Sequence, residues 1–472
     1  MFSNKYYCRN KLSSYFEWNQ CLIWILLLFQ VNGICQQGYP VEAFGAVADG
    51  VTDNTYFIQQ AIDSVHQKGG GKVTLRAGVY LSGTLFLKSH VFLEILPGAI
   101  LKAKPDLAAF PLLASKWRSR MDNTPWSAFI RAVSQEHIGI IGGGLIHGSG
   151  DSPVFQNRVA DSPVRPYGIF FEDCQYIHIE GVRMEASAYW MQRYYRCSNI
   201  VIRGIKVLNH VNLNNDGLDI DSSSDVVISD CIIDSSDDAL VIKSESSLAS
   251  SNIVVSNCLL ATHASAIKLG TGSVGGFKNI IISNVIITPS KSEVMHHPLK
   301  LPQGMSGIDL TAVDGGNLEE VIIKDVIMEG LENAIHIRLG NRGSRDIHQS
   351  STNTSGAVHQ EISVIKNVRI QNIIARDMGP YPIVIYGFEG HPVRNVTLQD
   401  ISITQSRSGE SSDIDAEVNW EPHWYPFILI YNSRLPAYGI VTHWTEGLVV
   451  ERLEVIKAPE ELRLFEWHYK RF

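Results

Sequence analysis

The chain has 472 residues, 45% of them hydrophobic, 19% charged and 9% aromatic, and a formal net charge of −8. That balance excludes a disordered chain, and 38 glycines without a three-residue period exclude collagen. The net negative charge disfavours nucleic acid or anionic lipid as a partner, which leaves a large globular protein with an extensive core.

Residues 1–35 read as a secretory signal peptide. Lys5, Arg9 and Lys11 precede the apolar run 22–29, and the small residues Gly33 and Cys35 follow it. The run is too short to span ~30 Å of hydrocarbon. Residues 36–472 are then one mature domain, expected to be secreted or periplasmic, with no membrane contact beyond export. Four cysteines remain in it: Cys174, Cys197, Cys231 and Cys258. Cys231 and Cys258 occupy the same place in a recurring phrase, so they are expected to stack as small buried hydrophobes. No C-x-x-C pair occurs, and His296-His297 sits in a Pro-flanked loop, so no metal site is expected.

Next in the chain, Phe57, Ile58, Ala61, Ile62 and Val65 fall on one helical face, behind Thr52 and Asp53 as capping candidates. Lys68 and three glycines stop this helix, and Val73-Thr74-Leu75 and Leu85-Phe86-Leu87 begin the strands. The glycines make a turn, because no phosphate-cradling G-x-x-x-x-G-K-[ST] follows. An amphipathic helix here can plug the open end of a solenoid.

A phrase then recurs along the rest of the chain. It reads Gln175-Tyr-Ile-His-Ile, Ser198-Asn-Ile-Val-Ile, Ser224-Asp-Val-Val-Ile, Ser251-Asn-Ile-Val-Val and Lys278-Asn-Ile-Ile-Ile, starting 23–27 residues apart. Further copies begin at Glu136, Glu319, Lys366, Arg394 and Glu446. Each opens on polar or turn residues and then alternates β-branched side chains with period two. No helical pattern separates the copies, which disfavours βαβ folds. The spacing predicts an all-β, single-stranded parallel β-helix in which every coil buries its inward residues on its neighbours. Longer inserts lie near 104–135, 289–306, 339–362 and 406–426. Several aromatic residues, among them Trp117, Trp126, Trp190, Trp420, Trp424 and Tyr425, lie in or near these inserts and can stack on sugar rings or pack the loops.

Two acidic runs stand one coil apart: Asn214-Asn215-Asp216-Gly217-Leu218-Asp219-Ile220-Asp221 and Asp237-Asp238-Ala239-Leu240-Val241-Ile242-Lys243-Ser244. Asp216 precedes Asp237 by 21 residues, which places Asp216, Asp237 and Asp238 near one another on adjacent coils. Three crowded carboxylates cannot all ionise cheaply, so one retains its proton towards neutral pH. A protonated acid beside ionised carboxylates is what glycoside hydrolysis requires. Asp219, Asp221, Asp225 and Asp230 are read instead as turn residues.

These runs, with Arg165-Pro166, Trp190 and the opening Phe44-Gly45-Ala46-Val47-Ala48-Asp49-Gly50, resemble the family 28 glycoside hydrolases, the polygalacturonase group. The resemblance implies a right-handed, pectin lyase-like solenoid, the hand also being the usual one for parallel crossovers. It further implies that Asp237 is the general acid, that Asp216 and Asp238 hold and deprotonate the attacking water with inversion, and that Asn214 positions a hydroxyl or a neighbouring acid. No cofactor is implied.

Two departures bear on the substrate. The family's glycine-histidine-glycine motif is replaced by Thr262-His263-Ala264, which leaves His263 as a candidate for the cleft. Its arginine-isoleucine-lysine motif, which grips a galacturonate carboxylate, is absent near Gly307-Ile308-Asp309, and Lys268, Arg338 and Arg342 are the candidates to replace it. The expected partner is thus a pectic or related uronate-containing polysaccharide or oligosaccharide, cut by a hydrolase and, with long inserts walling the groove, from a chain end. A polysaccharide lyase or a non-catalytic glycan binder on the same scaffold are the alternatives.

Overall fold

A computed structural model describes residues 38–117, 126–156, 165–294, 303–342, 362–415, 418, 420–423, 425–431 and 435–471. The signal segment 1–35, His296-His297 and Trp424 lie outside the described residues. No described helix is long and apolar enough to cross a membrane.

From Tyr39 onward the chain forms a single-stranded right-handed parallel β-helix, with three columns of parallel strands running along its axis. The recurring phrase builds the first column. It contains Glu136–Gly142, Gln175–Glu180, Ser198–Arg203, Ser224–Ser229 and the first halves of Ser250–Thr262 and Phe277–Pro289. The alternation has a direct consequence. Ile138, Ile177, Ile200, Val226, Ile253, Ile280, Val321, Val368 and Val396 stack in register down the interior, each at most 1% exposed. Each such side chain contributes about 1.5–3 kcal/mol of burial. Cys231 and Cys258 stack in the second column, and all four described cysteines are free and buried.

The second residue of the phrase explains its composition. At His137, Tyr176, Asn199, Asp225, Asn252, Asn279, Asn367 and Asn395 the backbone is left-handed, with φ between 52° and 58°. Asn and Asp tolerate that conformation better than other side chains. They also bond from coil to coil: Asn252 Nδ2 donates to Asp225 Oδ1 at 3.0 Å, and Asn279 Nδ2 to Asn252 Oδ1 at 3.0 Å.

At the N-terminal end the helix Thr55–Gln67 buries Ile58, Ala61, Ile62 and Val65 against the first strands. Its N-cap is Asn54, not Thr52 or Asp53. Asp53 still contributes, since its Oδ1 accepts the Thr55 N–H at 3.0 Å, whereas the Asn54 side chain is committed to Val47.

The third column positions the site. It runs Gln192–Tyr195, Leu218–Asp221, Leu240–Ser244, Ser265–Ser273, Gly304–Ala312, Leu331–Leu339, Ile383–Tyr386, Ala437–Glu446 and Leu464–Arg471. Cross-coil pairs set Asp219 beside Val241, Val241 beside Lys268, Lys268 beside Asp309 and Asp309 beside His336.

Candidate active site

The acidic runs enter this third column at successive coils. Asp216 lies just before Leu218–Asp221, and Asp237 and Asp238 lie just before Leu240–Ser244. The Gly217 N–H donates to the Asp238 carbonyl at 2.9 Å, which ties the two turns together. As a result one carboxylate oxygen from each of Asp216, Asp237 and Asp238 lies within 4.8 Å of the others, with Asp216 and Asp238 buried and Asp237 half-buried.

The three acids are not equivalent. Burial alone would raise the Asp238 pKa, but Lys268, then Lys243, and the hydrogen bonds it accepts outweigh that and hold it below the ordinary carboxylate range. Those bonds come from Lys268 Nζ to Oδ2 at 2.7 Å and the Ser265 N–H to Oδ1 at 3.0 Å. Asp216 goes the other way. Burial, then repulsion from Asp219 and Asp237, outweighs Lys243 and lifts its pKa well above normal. Its Oδ1 is buried without a hydrogen-bond partner. The proton shared by the cluster therefore favours Asp216 over Asp238.

Asp219 and Asp221 are not turn residues. Both lie within the strand Leu218–Asp221, fully buried, and each faces a cation. Asp219 Oδ1 is 3.3 Å from Lys243 Nζ, and burial pushes its pKa up to about 7 against the pull of that lysine. Asp221 Oδ2 accepts from Arg193 Nη2 at 2.6 Å, and its Oδ1 accepts the Glu245 N–H at 2.8 Å. Asp225 and Asp230 do occupy left-handed turn positions, with φ of 58° and 59°.

Lys243 is the residue that sequence reasoning passed over. Its Nζ lies 3.8 Å from Asp216, 3.3 Å from Asp219 and 4.5 Å over the Trp190 ring. Trp190 is 5% exposed and packs in a cluster with Trp126, Tyr167 and Tyr195, so it supports the site from within. Lys243 pairs in register with Asp221, one coil earlier, and its long side chain reaches back to Asp219 on the same strand as Asp221.

The two asparagines divide the work between them. Asn215 is buried, and its Oδ1 accepts from the N–H groups of Val211 and Asn212 while its Nδ2 donates to the carbonyls of Ser187 and Tyr189. Asn214 is exposed at φ 54°, and its Oδ1 accepts from Arg165 Nη2 at 3.1 Å. His263, 1% exposed, stands one coil after Asp237 with its ring 5.2 Å from that of His210. His210 in turn bonds Asp234 at 2.7 Å.

The three basic candidates part company. Lys268 is in the acidic cluster. Arg342 lies nearby at 16% exposure, forked on Asp314 through Nε at 3.0 Å and Nη2 at 2.7 Å, with burial lowering its pKa. Arg338 is fully buried, its Nη1 donating to the Tyr431 hydroxyl and its Nη2 to the Glu421 carbonyl. It anchors the segment around 420–431 rather than facing the cleft.

This segment carries Tyr425 back to the site. The Tyr425 hydroxyl accepts from Thr271 Oγ1 at 3.0 Å, and its ring lies 6.0 Å from Lys268 Nζ and 5.6 Å from the Arg342 guanidinium. Ile428, Ile430 and Tyr431 pack with Met305, Val384 and Tyr386 on the outer face of the third column.

The model of Glycosyl hydrolases family 28 matches residues 111–419. The chain belongs to glycosyl hydrolases family 28. Among its family 28 relatives, a probable polygalacturonase of Vitis vinifera is 30% identical over 249 residues, covering 47% of this chain and 50% of that one. An exo-poly-alpha-D-galacturonosidase of Dickeya chrysanthemi is 33% identical over 118 residues, 23% of this chain and 19% of its own. The chain thus spans half or less of the length of these curated relatives. In fold it is similar to an exopolygalacturonase of Thermotoga maritima, with a TM-score of 0.65 at 20% identity, covering 90% of this chain and 93% of that one. The family 28 exopolygalacturonase of Yersinia enterocolitica gives a TM-score of 0.66 at 17% identity, over 90% and 79% of the two chains.

Proposed function

We propose that this family 28 protein is an exported hydrolase that cleaves a glycosidic bond in a uronate-containing pectic oligosaccharide, working from a chain end. The observation that carries the reading is the unequal trio: Asp238 kept ionised by Lys268, Asp216 with raised proton affinity, and Asp237 half-buried at the open side.

In this mechanism Asp237 donates a proton to the leaving glycosidic oxygen, since it is the member of the trio that reaches the cleft. Asp238 stays an anion and orients water, and transfer of the shared proton from Asp216 to Asp237 arms the acid and leaves Asp216 ionised to take the water's proton. A raised pKa makes Asp216 the stronger base of the two. The nearest oxygens stand closer than the ~6.5–9.5 Å usual between the two carboxyl groups of inverting enzymes, so spacing alone does not select the stereochemistry. The number of acids favours inversion: a double displacement uses one nucleophile, whereas two carboxylates beside the acid can hold one water between them.

Two observations bear on the substrate. Lys268 and Arg342 flank the Tyr425 ring and supply positive charge for a uronate carboxylate. The segment around Tyr425 and Ile428–Tyr431 covers the third column on its C-terminal side, which supports a closed groove and attack on a chain end.

Proton NMR of the protein acting on oligogalacturonates tests the proposal. A reducing sugar released first as the inverted anomer, and absent with Asp237→Asn, is expected. A vinyl proton from an unsaturated uronate would assign the reaction to a lyase.

A further inference from the structure

Beyond the covering segment, the third column ends in a second concave surface. The outward residues there are aromatic and in register: Arg338 pairs with Tyr386, Tyr386 with His443, and His443 with Tyr469, while Val441 pairs with Trp467. Their rings are close to parallel. Trp420 lies 4.4 Å from His443 at 9° and 5.8 Å from Trp467 at 9°, and His443 lies 4.9 Å from Tyr469 at 14°. Together with Trp444 and Glu389 they line an open cleft of about 530 Å³. That volume falls in the ~300–1,000 Å³ range of small-ligand sites. From Lys268 to Trp467 the column advances five coils, roughly 24 Å at ~4.8 Å per coil. The cleft is therefore separate from the catalytic trio, although it lies on the same column.

Packing accounts for Trp420 and His443, which sit within the stack. Tyr469, packed on His443 and Trp467, remains 42% exposed at the rim of the cleft. Flat ring faces with polar tips suit a pyranose, which is apolar on its C–H faces and rimmed by hydroxyls. The polar groups at hand also discriminate. His443 Nδ1 lies 2.8 Å from the Gly387 carbonyl, so that nitrogen carries its proton and Nε2 remains as an acceptor in the neutral ring. Burial lowers the His443 pKa and favours this neutral form. Glu389 adds an exposed carboxylate, and no lysine or arginine is among the described residues that line the cleft. Such a lining accepts hydroxyl donors and repels a sugar acid.

We propose that this cleft is a secondary carbohydrate site for an uncharged sugar residue, distinct from the uronate-binding catalytic groove. It holds neutral portions of a branched or mixed polysaccharide, which raises the local concentration of cleavable ends at the trio. The proposal rests on the reading of the trio as a glycan-cleaving site only for that last role; binding at the cleft is a separate property.

Isothermal titration of the full chain tests it, with neutral galactan, arabinan and xyloglucan oligosaccharides and with hexagalacturonate as probes. Asp237→Asn is run in parallel, so that binding is read without turnover. At least one neutral oligosaccharide is expected to bind both wild type and Asp237→Asn. Trp467→Ala should weaken that binding about tenfold. It should leave turnover of a short uronate substrate unchanged. Glu389→Arg, an exposed change that does not disturb packing, should shift preference towards hexagalacturonate. The proposal is overturned if no neutral oligosaccharide binds, if binding survives Trp467→Ala undiminished, or if Glu389→Arg leaves the selectivity where it was. A protein that binds neutral sugar but turns over no glycan would retain this site and lose the hydrolase reading.

Discussion

Lys268 reaches across one coil to the carboxylate of Asp238, Nζ to Oδ2 at 2.7 Å, with both groups buried. Breaking a buried pair from one side leaves an uncompensated charge and costs about 3–5 kcal/mol. Lys268→Met should therefore lower the melting temperature. Asp238 has a depressed folded pKa, so its contribution to stability is present above the unfolded value near 3.9 and is lost as pH falls through the folded one. Without the lysine that pKa rises. The activity of Lys268→Met should then fall most on the acid side, moving the ascending limb of kcat/KM to higher pH. An unchanged limb would mean that Asp238 does not need its charge.

Asp219 carries the opposite sign. Its folded pKa of about 7 exceeds the unfolded value near 3.9, so the folded state binds the extra proton between those pH values. Its contribution therefore favours folding at low pH and is withdrawn as pH rises from about 4 to about 7. Asp219→Asn removes that dependence. Relative to wild type, the melting temperature of the variant should improve steadily across this window. A constant difference at every pH would show that Lys243 holds Asp219 ionised throughout.

The neighbouring asparagines should separate cleanly. Asn215 satisfies four backbone groups from a buried position, and Asn215→Ala should cost about 2–4 kcal/mol by leaving several of them unpaired. Asn214 is exposed and bonded to Arg165. Asn214→Ala should leave the melting temperature within a degree or two of wild type, while raising KM if the side chain positions a substrate hydroxyl. Thermal unfolding and steady-state kinetics on the two variants check both statements.

How much of this could be read from the chain follows from what repeats. The stacked interior was visible because inward residues recur once per coil, and the meeting of Asp216 with Asp237 and Asp238 follows from the same period. Asp219 and Asp221 were misread because aspartate serves both left-handed turns and ion pairs, and the choice depends on the cation one coil away. For Asp219 that cation is Lys243, which becomes significant only when the strands are laid side by side. The helix cap was displaced by one residue because Asn54 had the backbone position and Asp53 the useful carboxylate. Contacts outside the period were invisible. Nothing in the sequence pairs Thr271 with Tyr425, 154 positions later, or assigns Arg338 to Tyr431 and not to substrate.

That non-periodic contact gives the last prediction. Tyr425 closes the C-terminal side of the trio with its hydroxyl on Thr271 and its ring near Lys268 and Arg342, while Ile428, Ile430 and Tyr431 fasten the segment to the third column. In the proposed chain-end reading the ring would contact the sugar and the fastening would block the groove, so the two functions can be separated. Tyr425→Ala removes only the ring. KM should rise by roughly three- to tenfold with kcat nearly unchanged, the loss expected from one aromatic contact. Cleavage should remain confined to chain ends, because the fastening is intact. Viscosity measured against reducing-end release on polygalacturonate separates the possibilities. Slow viscosity loss per bond cut is expected for wild type and variant alike. Rapid early loss by wild type would show an open groove and end the chain-end reading, and rapid loss by the variant alone would make the Tyr425 ring itself the barrier.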